Sequence, residues 1–196
     1  MIRLFDLLFS FVGIIVLMPL FLILSLVVWM SGPGPILFRQ VRIGQHEKEF
    51  ELLKFRTMRP ASESLGQLTV GKQDPRITKV GAVLRRYKMD ELPQLFNVLK
   101  GDMSLVGPRP EVSKYVNLYT KDQKEVLNVR PGITDLASLE FFDEDELLAK
   151  QENPVQYYVE VLMPRKIEIN RKYIQERSLS LYFKVVLKTI GRIFGN

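Results

Sequence analysis

At 196 residues the chain holds one domain and little more, and its net charge of +6 suits phosphate-bearing ligands, anionic lipid headgroups or nucleic acid. The absence of cysteine excludes disulfides, thiolate nucleophiles and cysteine-ligated metals. A single histidine, His46, argues equally against a Ser-His triad or a histidine-bound metal, so any chemistry falls to Asp, Glu, Lys, Arg, Ser and Tyr.

The mean hydropathy of +0.02 averages two unlike parts. Leu7 to Phe38 carries no charge, and the remainder is densely charged. The apolar run 7–30 exceeds the roughly 20 residues that cross a hydrocarbon core. It is too long for a signal-peptide core, and Ser31-Gly32-Pro33-Gly34-Pro35 offers no small-x-small cleavage site. Pro19, near its midpoint, predicts a break. Hydropathy alone favours a kinked spanning helix; the competing reading is a re-entrant helix-break-helix that leaves both ends on one face. Phe11 and Trp29 suit an interface.

The Gly/Pro-rich stretch 31–35 reads as a hinge. Two strands, 36–40 and 50–55, follow around a turn at Gly44-Gln45. The polar stretch 61–75 reads as a mobile loop, a lid in form. Val80, Val83 and Leu84 share one face of a helix over 80–87. A second helix over 91–100 stops at Gly101. Helices are also expected at 113–127 and 144–151. Asn153-Pro154 reads as the N-cap and first residue of another helix, which Pro164 ends or kinks.

The last segment is amphipathic. Leu179, Tyr182, Phe183, Val186, Leu187, Ile190, Ile193 and Phe194 keep helical spacing, and Lys184, Lys188 and Arg192 recur on another face. Such a helix lies in the headgroup plane or packs on a core, and the basic stripe favours the membrane. The expected fold is α+β and mostly helical. It comprises an anchor over 1–35, a catalytic domain over 36–178 with short strands and membrane-surface helices, and an interfacial helix over 179–196.

The chemistry concentrates at Asp90-Glu91, at the mouth of the second helix, and at Arg109 between Pro108 and Pro110. Most paired acids are solvated helix starts, as expected of Asp143-Glu144-Asp145-Glu146. Residues i and i+1 on a helix point about 100° apart, so Asp90 and Glu91 can take different roles. One can attack phosphorus to form an acyl phosphate while the other holds a hard cation such as magnesium (Mg2+), with both as candidate ligands. Arg109, its backbone restricted by two prolines, can meet phosphate bidentately or serve as a turn arginine. Arg85, Lys54 and Arg56 are further candidate phosphate binders. Pro19, Asp102, Pro108 and Pro110 are structural candidates, with Asp102 tying down the loop after Gly101. Nothing resembles a nucleic-acid-binding module.

These strings together resemble the bacterial sugar transferase family, the monotopic phosphoglycosyl transferases. The resemblance runs through Gly34-Pro35-Ile36-Leu37-Phe38-Arg39-Gln40, Lys54-Phe55-Arg56-Thr57-Met58, Asp74-Pro75-Arg76-Ile77-Thr78, the block from Asp90 to Pro110, and Arg130-Pro131-Gly132-Ile133-Thr134. It implies transfer of a sugar 1-phosphate from a UDP-sugar to polyprenyl phosphate, with Asp90 as nucleophile, Glu91 as its partner near magnesium, and Arg109 and Arg85 as basic site residues. It also implies a re-entrant anchor broken at Pro19, phospholipid contact, and a place on the cytoplasmic face of the bacterial inner membrane; a homodimer is compatible with it. The chain departs from the family pattern at Asp135-Leu136-Ala137-Ser138-Leu139-Glu140-Phe141-Phe142 and at Lys88, where a small hydroxyl residue is usual. Those departures bear on sugar and base recognition. The competing functions are a membrane-bound nucleotide-sugar phosphohydrolase and a non-enzymatic basic membrane adaptor.

Overall fold

Helix α1 (Ile2–Val16) and helix α2 (Met18–Met30) meet at Leu17 with a bend of 64°. Pro19 lies in the first turn of α2, where its missing N–H leaves nothing unpaired. The break therefore falls where the sequence places it. The structure is a computed structural model and describes residues 1–60, 62, 68, 70–71 and 74–195. The loop expected over 61–75 lies largely outside them. Among the described residues no single helix is long and apolar enough to cross a membrane.

Both ends of the bent pair are fastened to the rest of the chain. Asp6, Ser10 and Ile14 form the buried face of α1. Arg3 donates from Nη1 to the Val98 carbonyl at 2.8 Å and from Nη2 to the Leu99 carbonyl at 3.3 Å. Asp6 accepts from Ser104 Oγ at 2.9 Å, from the Leu105 amide at 2.9 Å and from the Tyr182 hydroxyl at 2.9 Å. At the other end Phe21, Leu24 and Val28 of α2 pack with Phe55 and Leu84. Each such burial is worth about 1.5–3 kcal/mol, so α2 is a packed element and not a tether. The outer faces present Leu8, Phe11, Ile15, Leu22, Leu26 and Trp29 to the surroundings.

Strands β1 (Leu37–Ile43) and β2 (Glu49–Phe55) form an antiparallel hairpin with Leu37 opposite Phe55. Exposed His46 sits in its connecting turn at φ 56°. Helix α3 (Lys79–Arg86) starts at Thr78, whose hydroxyl accepts the Gly81 amide at 2.9 Å. Helix α4 (Gln94–Lys100) ends at Gly101, whose φ of 103° makes the left-handed cap that glycine adopts freely. Asn97 holds α4 on the hairpin, accepting the Leu53 amide at 3.0 Å and donating to the Glu51 carbonyl at 2.7 Å. Asp102 folds back on the end of α4, pairing with Lys100 at 3.2 Å and accepting Asn97 Nδ2 at 3.4 Å.

Strands β3 (Ser104–Val106) and β4 (Gly132–Thr134) pair in parallel, an element the sequence reading lacks. Their backbones cross so closely that a Cβ on Gly132 would lie 2.1 Å from the Gly107 nitrogen. The helix expected over 113–127 is two pieces, α5 (Ser113–Val116) and a 3-10 turn over Gln123–Asn128. Between them Thr120 and Gln123 cap each other: the Thr120 amide meets Gln123 Oε1 at 2.9 Å, and the Gln123 amide meets Thr120 Oγ1 at 3.2 Å.

Helix α6 (Leu136–Glu140), also unanticipated, precedes α7 (Glu144–Ala149). Asn153 caps α8 (Pro154–Tyr157) as expected, accepting the Gln156 amide at 3.2 Å. A π turn over Tyr158–Leu162 then leads into α9 (Met163–Gln175), with Pro164 in its first turn. The wider turn absorbs the donor that proline lacks, so Pro164 does not end the helical run. Helix α10 (Leu179–Phe194) buries Tyr182 and Val185 against Val106 and Tyr173, while Leu187 and Ile190 stay exposed. The fold is α+β, and 58 % of the described residues are helical.

Candidate active site

The site forms where β2, the end of α3 and the Pro108-Arg109-Pro110 turn converge. After α3, Lys88 turns the chain through a left-handed conformation (φ 54°), and a 3-10 turn over Met89–Glu91 follows. This tight turn draws both acids inward: Asp90 is 5 % exposed and Glu91 8 %. Their environments then diverge. Glu91 Oε1 accepts from Lys54 Nζ at 2.8 Å and from Arg109 Nη2, and Oε2 accepts from Arg109 Nη1 at 3.3 Å. Asp90 Oδ1 is buried and has no hydrogen-bond partner among the described residues.

The electrostatics follow that geometry. Arg109 and Lys54 overcome the cost of burial and hold the Glu91 carboxyl well below the usual range. Burial pushes the Asp90 carboxyl up, with Lys54 opposing and Glu91 reinforcing the shift. Neighbouring carboxylates driven in opposite directions are what an acid-base or nucleophile-partner division of labour requires. The Lys54 ammonium is lowered by burial, against the pull of Glu91.

Arg109 is clamped at three consecutive residues. The Pro108 carbonyl accepts the Gly132 amide at 3.0 Å, and the Pro110 carbonyl accepts Arg42 Nη1 at 2.9 Å. The Arg109 amide itself donates to Asp135 Oδ2 at 2.8 Å. Asp135 also caps α6 through the Ser138 amide and takes Asn170 Nδ2 at 3.4 Å. Two of the five guanidinium N–H donors of Arg109 go to Glu91, and the rest remain for a ligand.

Of the residues singled out from sequence, Glu91, Lys54 and Arg109 meet directly, and Asp90 feels Lys54 and Glu91 through their charge. Arg85 joins them through its charge, with Nε on Thr57 Oγ1 at 3.0 Å. Arg56 does not. It lies 5 % exposed beneath the hinge and donates to the carbonyls of Val28 (2.8 Å), Gly32 (2.7 Å) and Pro33 (2.8 Å). Its charge is spent on the C-terminal end of α2, where a cation is favoured, and it leaves the phosphate-binding set.

Asp135 and Arg42 are site-supporting residues that the sequence reading did not single out. Asp135 carries a legible signal, an acid at an N-cap position before Leu136-Ala137-Ser138. Arg42 carries none, because its partner Pro110 is distant in sequence.

The described residues contain no group of three histidines, cysteines or carboxylates able to hold a metal. Glu91 Oε2, with one hydrogen bond at 3.3 Å, and unpartnered Asp90 Oδ1 remain as hard oxygens. Magnesium is commonly held by one or two carboxylates with water and substrate phosphate, so this donor set fits it.

The family model for bacterial sugar transferase matches residues 1–196. The chain belongs to the bacterial sugar transferase family. A putative undecaprenyl-phosphate N-acetylgalactosaminyl 1-phosphate transferase of Bacillus subtilis is 42 % identical over 67 % of this chain and 70 % of its own length. A UDP-N-acetylgalactosamine-undecaprenyl-phosphate N-acetylgalactosaminephosphotransferase of Aeromonas hydrophila is 36 % identical over 96 % of this chain and 42 % of its own. A UDP-glucose:undecaprenyl-phosphate glucose-1-phosphate transferase of Xanthomonas campestris is 37 % identical over 97 % of this chain and 38 % of its own. The chain thus spans about two-fifths of the latter two family members. Their names share the lipid phosphate and differ in the sugar.

Proposed function

We propose that this chain transfers a sugar 1-phosphate from a UDP-sugar to polyprenyl phosphate, giving polyprenyl-diphospho-sugar and UMP as the first membrane step of surface-glycan synthesis. The observation that carries the reading is the unpartnered, buried Asp90 Oδ1 beside a Glu91 held by Lys54 and Arg109. Asp90, once ionised, attacks the β-phosphorus. The bond from that phosphorus to the oxygen bridging it to the α-phosphorus breaks, UMP leaves with that oxygen, and an acyl phosphate joins the sugar to Asp90. An oxygen of polyprenyl phosphate then attacks the same phosphorus, and the Asp90 carboxylate departs unchanged.

Glu91 fixes Lys54 and Arg109 so that their remaining donors face the transferred phosphoryl oxygens. Bound through Glu91 Oε2 and an Asp90 oxygen, magnesium would offset the repulsion between carboxylate and diphosphate. A lipid acceptor calls for a membrane-embedded anchor. Arg3 at the start of α1 and Arg56 under the end of α2 bind both ends of the bent pair to one body, which favours a re-entrant anchor; a nucleotide-sugar donor calls for a site on the cytoplasmic face of the inner membrane. The exposed Leu187 and Ile190 of α10 suit the lipid headgroup boundary.

The test is UMP release from a panel of UDP-sugars with magnesium, with and without undecaprenyl phosphate, for the natural chain and Asp90→Asn. Lipid-dependent release from one sugar, lost in the variant, is expected. Sustained release without lipid would instead identify a phosphohydrolase. Full activity of Asp90→Asn would remove the covalent step.

A further inference from the structure

Three cations besides Arg109 bear on the dyad, and two of them are already engaged. Lys54 is paired with Glu91, and Arg85 is bonded to Thr57. Lys88 is different. It stands two residues before Asp90, its charge is felt by Asp90, Glu91 and Asp145, and among the described residues it makes no ion pair. Its ammonium lies 5.3 Å from the centre of the Phe142 ring. That same ring carries the Arg192 guanidinium at 5.2 Å.

Two like charges on one ring repel, and the arrangement persists through cation–π attraction plus whatever anions adjoin it. Arg192 has Asp143 at 3.8 Å. Lys88 has no such partner, so its charge is left for a ligand. Its backbone is fixed on both sides as well: its amide donates to the Arg85 carbonyl at 3.1 Å, and its carbonyl accepts the Glu91 amide at 3.3 Å. The ammonium is therefore anchored at the stem by the dyad turn and at the tip by Phe142, from the stretch where the chain departs from the family pattern.

We propose that Lys88, held on Phe142, binds the diphosphate of the nucleotide sugar beside Asp90 and sets how tightly the donor is held. The proposal rests on the phosphosugar transfer above. The same phosphate chemistry could come from the lipid acceptor, and kinetics separates the two sources. Phe142 is a positioning residue that acts through Lys88.

The experiment measures UMP release by the full chain in lipid nanodiscs, varying UDP-sugar at saturating undecaprenyl phosphate and then the reverse. Lys88→Met keeps length and ring contact without charge, and Lys88→Arg keeps charge. Binding of inorganic pyrophosphate by calorimetry is followed in parallel. Losing a charge-assisted contact to phosphate is expected to raise the donor KM roughly 10- to 100-fold in Lys88→Met and to weaken pyrophosphate binding by a similar factor. The acceptor KM stays within about 2-fold, and Lys88→Arg stays near the natural chain. Phe142→Leu added to Lys88→Met is expected to change the donor KM no further, as coupled residues do.

An acceptor KM that rises alone overturns the assignment to the donor. Unchanged constants and pyrophosphate affinity overturn the proposal and leave Lys88 a mere tether. Should the natural chain release no UMP, the transferase reading fails, and the pyrophosphate comparison still decides Lys88.

Discussion

Asp135 is the residue through which the arginine turn is joined to the helical half of the domain, and Asp135→Ala tests that connection. The side chain is fully buried. Removing it orphans the Arg109 amide, now satisfied at 2.8 Å, and uncaps α6 at Ser138. An unpaired buried amide costs about 1–3 kcal/mol. A lost N-cap costs about 0.5–2 kcal/mol. The Asn170 contact at 3.4 Å adds little. Together these predict a loss of about 2–4 kcal/mol, or roughly 5–10 °C in Tm for a chain of this size.

The melt can be followed by circular dichroism in detergent, with UMP release measured on the same preparation below the melting range. Asp135→Asn should recover the cap, since Asn caps as well as Asp. It can do so only by turning its amide nitrogen toward the Arg109 N–H, so activity should remain low while stability partly returns. A Tm within about 2 °C of the natural chain, together with normal turnover, would refute the coupling of Asp135 to Arg109.

Three further outcomes are expected. Asp90→Asn should lose UMP release yet melt higher, by roughly 2–4 °C if relief of the buried charge is about 1 kcal/mol; a lower Tm would contradict the strained carboxylate. Since burial lifts Asp90 above the usual 3.8 of an aspartate, and the proposed attack needs the ionised form, kcat/KM should fall as pH drops through that raised value. By the same sign, the stability cost of the ionised side chain is present at neutral pH, shrinks as pH falls through that raised value and is gone below the unfolded 3.8, so this acid limb should be absent from Asp90→Asn melts. The lack of natural cysteines makes Leu4→Cys and Pro35→Cys clean topology probes; an impermeant thiol reagent should modify both from one side of sealed vesicles, and labelling from opposite sides would eliminate the re-entrant anchor.

Local signals carried much of the architecture. The break at Pro19, the hairpin around Gly44, the α3 stripe, the Gly101 cap and the Asn153 cap all rest on interactions within a few residues, which patterning encodes directly. Strands β3 and β4 were invisible because three residues cannot display an alternation, and their pairing spans from Ser104 to Gly132. The stretch 113–127 misled because Leu118, apolar but exposed, completes a helical stripe that the fold does not use.

At the candidate site, residue chemistry singled out Asp90, Glu91 and Arg109. What the letters could not give was their pairing, in which Arg109 grips Glu91 and leaves Asp90 bare. Arg56 shows the converse. A basic residue in a string shared with a family of phosphate-handling enzymes reads as a ligand-binding cation, and only the folded hinge shows its charge committed to carbonyls.

The carboxylate of Asp6 also sets an order of assembly. Its acceptors are filled by Ser104, Leu105 and Tyr182, the last 176 residues away. If α1 is the membrane anchor proposed above, it reaches the lipid during synthesis long before Tyr182 exists. Until α10 arrives, an apolar helix carries an incompletely satisfied acid that resists full insertion in lipid. The C-terminal helix is thus the last piece to secure the first, and a chain cut before Tyr182 should leave its N-terminal helix poorly seated even with the whole candidate site in place.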